Sequence, residues 1–231
     1  MIELKHPYCA VAVRTGTSYG GNQGWFLERW MRESGCGVIA SADLMIYLHR
    51  HHSRLKQPRF SVIPKEGEIP LGMYLRIGTF LRKGYFPLIP KVGLSAPLLV
   101  VGLNRLFQAN HVPLRAGWCV WGTKLWSQME RQLKDDYPVI LSIGANVPFI
   151  WQKHKLALYS KDAMGDYRVY TSVKAHYITV TGMDDTWLRV SSWGQEYYIR
   201  REEYSAYVKK HSSFLVSNMV VLTPKKSKVG V

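Results

Sequence analysis

The chain has 231 residues, 47% of them apolar or aromatic and 20% charged, enough to bury one sizeable core and too rich in large side chains for a disordered, coiled-coil or collagen-like chain. The 31 Lys and Arg residues against 16 Asp and Glu leave a formal charge of +15, which favours nucleic acid, an anionic membrane face or an acidic substrate as neighbours without specifying any chemistry. Cys9, Cys36 and Cys119 form an odd, widely spaced set, which argues against a disulfide framework and a zinc knuckle.

Residues 1–7 have no basic head followed by an apolar run, so no secretory signal is expected and a reducing cytoplasm is the expected compartment. The run 8–13 reads as a strand expected to join a later sheet. Phe26, Leu27, Trp30 and Met31 recur at helical spacing, 38–48 is apolar almost all round, and 69–81 carries Leu71, Tyr74, Leu75 and Ile77 in helical register. The apolar region 86–107 is broken by Pro87, Pro90, Lys91, Pro97, Asn104 and Arg105. Its clean stretches fall far short of the roughly twenty residues a bilayer requires, so it is expected to be core rather than a membrane span.

Trp126, Met129 and Leu133 form a further helical stripe, after which the periodicity changes near Tyr137 and Pro138. Runs at 139–143, 156–159 and 177–181 are rich in β-branched and aromatic residues and read as strands. Residues 183–186 look like a turn into a strand at 187–193, and Gly194 permits a bend into 197–199, which together predict an antiparallel meander. A helix near 201–210, a last strand over 214–222 and a basic tail complete the chain. The fold class is therefore α+β, one domain over 1–231, with a mainly helical lobe at 16–137, a mainly β lobe at 138–223 and the tail at 224–231.

The stretch of most chemical interest is Ser34-Gly35-Cys36-Gly37-Val38, where two glycines bracket a cysteine at an expected helix start. Glycine permits a tight entry and close substrate approach. Unpaired N–H groups and the positive end of the helix dipole favour negative charge, so the Cys36 thiolate is expected to be stabilised. A thiolate nucleophile needs a proton partner, and His176 at the head of an expected strand is the best candidate.

This order resembles the papain-like cysteine peptidases, bacterial type, related to the bacteriocin-leader peptidases: a cysteine opening a buried helix, then a strand-borne histidine and a Trp-Gly pair, here Trp193-Gly194. The resemblance implies a helical first lobe and an antiparallel β second lobe with the cleft between them. It also implies a thiol hydrolase that cleaves a peptide or amide bond through a Cys36 thioester with His176 as general base and acid.

The family's motif ends Asn-Ser-Trp-Gly, whereas Ser191-Ser192-Trp193-Gly194 stands here, so Ser191 takes the place of the residue that orients the histidine; Asp184 and Asp185 are its alternatives. Trp30 occupies the position of the family's oxyanion-hole glutamine. Gln23, in the loop 20–25, is the substitute expected to pair with the Cys36 backbone N–H, each such donor being worth roughly 3 kcal/mol of barrier.

The mechanism requires no cofactor and no metal. An acyltransferase or transglutaminase-like outcome uses the same dyad, and a catalytically weak binding or scaffold protein of the same fold is the alternative from another class. His49, His51 and His52 follow an apolar helix and are expected to cap its C-terminal end as cations rather than bind metal. Cys9, Cys119 and the tryptophans at 118, 121 and 126 read as packing. Tyr167-Arg168-Val169-Tyr170 mixes basic and aromatic residues, yet no nucleic-acid-binding signature focuses it, so specific nucleic-acid binding is not expected. The stretch 152–170 reads as a loop; whether it covers the cleft, and the oligomeric state, are left open by the sequence.

Overall fold

A computed structural model describes residues 1–57, 60–89, 93–118 and 124–225. Among them the chain is mixed α+β, with six α-helices, a mainly antiparallel seven-stranded sheet and two smaller sheets. The first half contains β1 (Ile2–Glu3), β2 (Ala10–Val13), β3 (Gly16–Tyr19), α1 (Arg29–Ser34), α2 (Cys36–His51), β4 (Ile69–Pro70), α3 (Leu71–Gly84), α4 (Ala96–Ala109), β5 (Leu114–Trp118) and α5 (Leu125–Lys134). The second half contains β6 (Val139–Ile143), β7 (Leu156–Lys161), β8 (Tyr167–Val173), β9 (His176–Met183), β10 (Trp187–Ser192), β11 (Gln195–Arg200), α6 (Arg201–His211) and β12 (Val220–Pro224).

The helix α2 is buried from Gly37 to Leu48. A helix apolar on every face has no side to offer water and must be enclosed. It packs against β9, the most paired strand of the large sheet, which bonds to β10 on one edge and shares the other between β6 and β1. Around this axis α3 and α4 bury narrower stripes, Tyr74 and Leu81 on α3, and Leu99, Leu103, Leu106 and Phe107 on α4. The region 86–107 is thus partly α4 and its core-facing stripe, and no described helix is long and apolar enough to cross a membrane.

The meander appears as read: β9, β10 and β11 follow one another as antiparallel hairpins. The first turn is closed by Asp184, whose carboxylate accepts from the N–H groups of Thr186 and Trp187 at 2.9 and 2.7 Å. The second is the pair Trp193-Gly194, both at positive φ, 49° and 75°. That is the primed-turn geometry that matches strand twist and suits glycine at its second position.

Four expectations are corrected. The run 8–13 does not join the large sheet: β2 pairs with β3 and, in parallel, with β4, while β1 takes the edge of β9. A two-residue turn at Arg14 and Thr15 returns the chain at once, so the local partner costs least loop entropy. Of the stripe at 26–31 only Trp30 and Met31 lie in α1, and Leu27 is 96% exposed. Residues 152–170 are not a loop but hold β7 and the start of β8.

The last strand is shifted, to β12, which pairs with β5 of the helical half. Buried Gln132 of α5 clamps that pair, donating to the Leu222 carbonyl at 2.9 Å and accepting from its N–H at 2.8 Å. Pro224 therefore belongs to a strand rather than to the tail, and the tail beyond Lys225 lies outside the described residues, as do Cys119 and Trp121.

Candidate active site

Gly35 ends α1 and caps α2 at once: its N–H donates to the Met31 carbonyl at 2.9 Å. A Cβ there would fall 2.4 Å from that carbonyl oxygen, so no side chain fits without moving the joint. Cys36 is the first helical residue. Gly37 lets the helix end approach β9, since a Cβ on it would lie 3.2 Å from the Tyr177 ring and 3.1 Å from Leu94. The two glycines thus bring the cysteine against the sheet.

His176 opens β9 opposite Ile143, preceded by Ala175 at φ 51°, a left-handed kink into the strand. Cys36 and His176 line one cleft of about 340 Å³, walled by Leu94, Ala96, Pro97, Leu215 and Val216. The backbone N–H groups of Tyr177, Gly37 and Cys36 act on the thiol to favour its charged form. The structure thus brings the two sequence-predicted groups into the same cavity.

Electrostatics differ from the expectation for a helix start. Burial pushes the Cys36 thiol above its ordinary value, and the three N–H groups only partly offset it. Burial also lowers His176 to about 4. Near pH 7 both groups are neutral, so the expected stabilised thiolate is corrected. Loss of water around the sulfur outweighs the donors and dipole at the end of α2.

The partner of His176 is Ser192, not Ser191: Nε2 and the Ser192 Oγ are 2.8 Å apart. The Ser191 hydroxyl instead donates to the Tyr19 carbonyl at 2.8 Å. Consecutive strand residues point to opposite faces, so a one-residue slip in reading the motif exchanges the roles. Asp184 serves the turn described above, and Asp185 is fully exposed and lies 3.7 Å from Arg201. Trp193 stacks on the imidazole at 4.6 Å and 26° and shields it from water.

Gln23 reaches the same cleft as Cys36 and His176. Its side-chain nitrogen donates to the Arg32 carbonyl at 2.7 Å. The loop that carries it is pinned at the two residues before it. Asn22 donates to the Trp193 carbonyl at 2.9 Å, and the Gly21 N–H donates to Asp43 at 3.0 Å. A Cβ on Gly21 would fall 1.7 Å from the Tyr74 hydroxyl, so the loop can lie this deep only with glycine there.

Sequence reasoning missed Ser192 and Asp43. Asp43 is buried on α2, two turns beyond Cys36, and also accepts from Tyr74 at 2.7 Å and Tyr8 at 3.0 Å. Burial raises it to about 6 against these hydrogen bonds. A lone carboxylate inside an otherwise apolar helix was the available signal, because unpaired burial is costly and demands partners.

His49 and His51 stand in the last turn of α2 and are not held there as cations. Burial lowers His49 and His51. The His49 Nδ1 accepts from the Gln57 N–H at 3.0 Å, His51 stacks on His6 at 4.6 Å, and the His52 Nε2 lies 2.8 Å from the Asp136 carbonyl. Among the described residues no group of three or more His, Cys, Asp or Glu side chains is arranged to hold a metal ion. No protein-family profile matches the chain, and no curated protein matches it.

Proposed function

We propose that the chain is a papain-like thiol hydrolase acting on a peptide or amide bond, with its cleft between the helices and the large sheet. The observation that carries this reading is the convergence of Cys36 and His176 on one cleft. With the His176 Nε2–H donated to Ser192, Nδ1 keeps a lone pair for the thiol proton. A neutral imidazole is the protonation state a general base needs.

As the sulfur attacks the carbonyl carbon, the thiol proton passes to His176 and the carbonyl oxygen gains the negative charge. The Cys36 N–H, unpaired within its helix, and the Gln23 amide are the donors for that oxygen. Collapse of this intermediate breaks the C–N bond, the imidazolium returns its proton to the leaving amine, and a thioester remains. Water, deprotonated by His176, then attacks the thioester; the C–S bond breaks, the acid leaves and the proton passes from His176 back to the sulfur. An amine in place of water makes the same apparatus an acyltransferase. The free thiols of Cys9 and Cys36 suit the reducing cytoplasm expected for the chain.

The test is an acyloxymethyl ketone probe at neutral pH, with the labelled cysteine located by mass spectrometry. Cys36 is expected to react alone among the cysteines, and His176→Ala to slow it at least about a hundredfold, the lower range for a general base. Slow, equal labelling of all the cysteines, unaffected by His176→Ala, would sink the enzyme reading in favour of a binding protein. The neutral resting state of both groups is what gives that rival its support.

A further inference from the structure

One wall of the cleft continues into an apolar surface that amide chemistry does not use. The loop after β6 presents Val147, Phe149, Ile150 and Trp151 to solvent, with Ile150 at 71% and Trp151 at 72% exposure. The rings of Phe149 and Trp151 lie 5.4 Å apart. Leu215, 58% exposed, belongs both to the cleft wall and to the segment beside this loop.

The two segments are fastened together. The Val147 N–H donates to the His211 carbonyl at 3.2 Å, the Ser212 hydroxyl donates to the Ala145 carbonyl at 2.8 Å, and His154 stacks on His211 at 3.8 Å. The Lys174 ammonium donates to the Gln152 carbonyl at 2.6 Å. A braced loop that holds large apolar side chains in water marks a surface meant to be covered.

The charge around it indicates by what. Lys153 and Lys155 follow the apolar tip, and Lys209 and Lys210 stand exposed at the adjoining end of α6. No Asp or Glu occurs within 137–161 or after Glu203. An apolar tip with lysines set behind it suits an anionic bilayer: the indole and isoleucine enter the headgroup boundary while the ammonium groups remain among lipid phosphates and carboxylates. A second copy would bring one chain of +15 against another.

We propose that the surface of Phe149, Ile150, Trp151 and Leu215 docks the protein on an anionic lipid bilayer, with the mouth of the Cys36 cleft facing the membrane. The docking is independent of the thiol chemistry and stands or falls on binding alone. Co-sedimentation with phosphatidylcholine vesicles containing about 30% phosphatidylserine, an anionic cytoplasmic-type lipid, is the measurement. The full chain is compared with Ile150→Ser/Trp151→Ser, whose exposed positions leave the core untouched, as circular dichroism verifies.

The expected result is at least about a tenfold fall in partitioning for the double variant, at low salt and still at about 0.5 M salt, where screening confines coulombic attraction to a few Å. Brominated lipid is expected to quench tryptophan emission of the wild type and to do so much less in Trp151→Phe. Equal binding of wild type and double variant, abolished for both by salt, would overturn the proposal and leave only diffuse charge attraction. So would absence of vesicle binding, including the case of a wild-type dimer that Ile150→Ser/Trp151→Ser renders monomeric.

Discussion

At His176 the hydrogen-bonded neighbour is a hydroxyl, which on the proposed reading stands in for a carboxamide. The Ser192 hydroxyl is the acceptor that the Nε2–H has, so its removal leaves Nε2 unpaired beneath Trp193. Ser192→Ala is expected to slow probe labelling of Cys36 about tenfold, the equivalent of one hydrogen bond of about 1.4 kcal/mol. Ser191→Ala, which frees the Tyr19 carbonyl instead, is expected to lower the unfolding free energy by about 1 kcal/mol with the labelling rate little changed. Equal kinetic effects of the two would contradict the assignment. The raised thiol makes a second forecast: alkylation of Cys36 by iodoacetamide should keep accelerating past pH 9 instead of levelling near neutrality, as a preformed thiolate–imidazolium pair would do.

At the scale of elements, the site depends on the α1–α2 joint and on the loop that Asp43 holds. Gly35→Ala places a methyl group 2.4 Å from a backbone oxygen that cannot turn aside. The joint must open, and a loss of about 2–3 kcal/mol in urea unfolding is expected, together with slower Cys36 labelling as the sulfur shifts in the cleft. Stability close to that of the wild type would show that the two helices are not held at this angle. The β5–β12 pair is a separate dependency. Gln132→Ala strips the Leu222 N–H and carbonyl of their buried partner, and a cost of about 2 kcal/mol is expected.

Across the whole molecule, two buried groups titrate in opposite senses. Asp43, raised to about 6, holds a proton in the folded chain that the unfolded chain has lost, so its contribution falls as pH rises from about 4 to 6. His176, lowered to about 4, lacks a proton that the unfolded chain holds, so its contribution rises between about 4 and 6.5. Each spans about two pH units, about 3 kcal/mol, and the two nearly cancel.

Asp136 differs from both. Burial would raise it, but hydrogen bonds from Tyr47, the Lys5 N–H and His6, with the charge of His52, hold it below its ordinary value. Its contribution is therefore lost only as pH falls through the acid range. With Asp43 and His176 nearly cancelling, wild-type stability is expected to rise through His49 and His51, which burial also lowers, as pH goes from 4 to 6.5. Relative to the wild type, His176→Ala should lose stability as pH rises through that window, and Asp43→Asn should gain it. Urea unfolding at four or five pH values in that range, about half a unit apart, checks both slopes.

Local pattern was enough for much of this. The all-apolar run on α2, the glycines around Cys36, the β-branched strands of the meander and the Trp193-Gly194 turn each follow from short-range sterics and periodicity that any stretch of sequence carries within itself. The sequence by itself therefore determined the α+β class, the helix start at Cys36 and the strand start at His176. Only the tertiary structure decided which serine faces the imidazole, which sheet receives β2 and β12, and whether the thiol is charged. Strand register and desolvation are set by partners far away in the chain, and neither leaves a mark on the residues concerned.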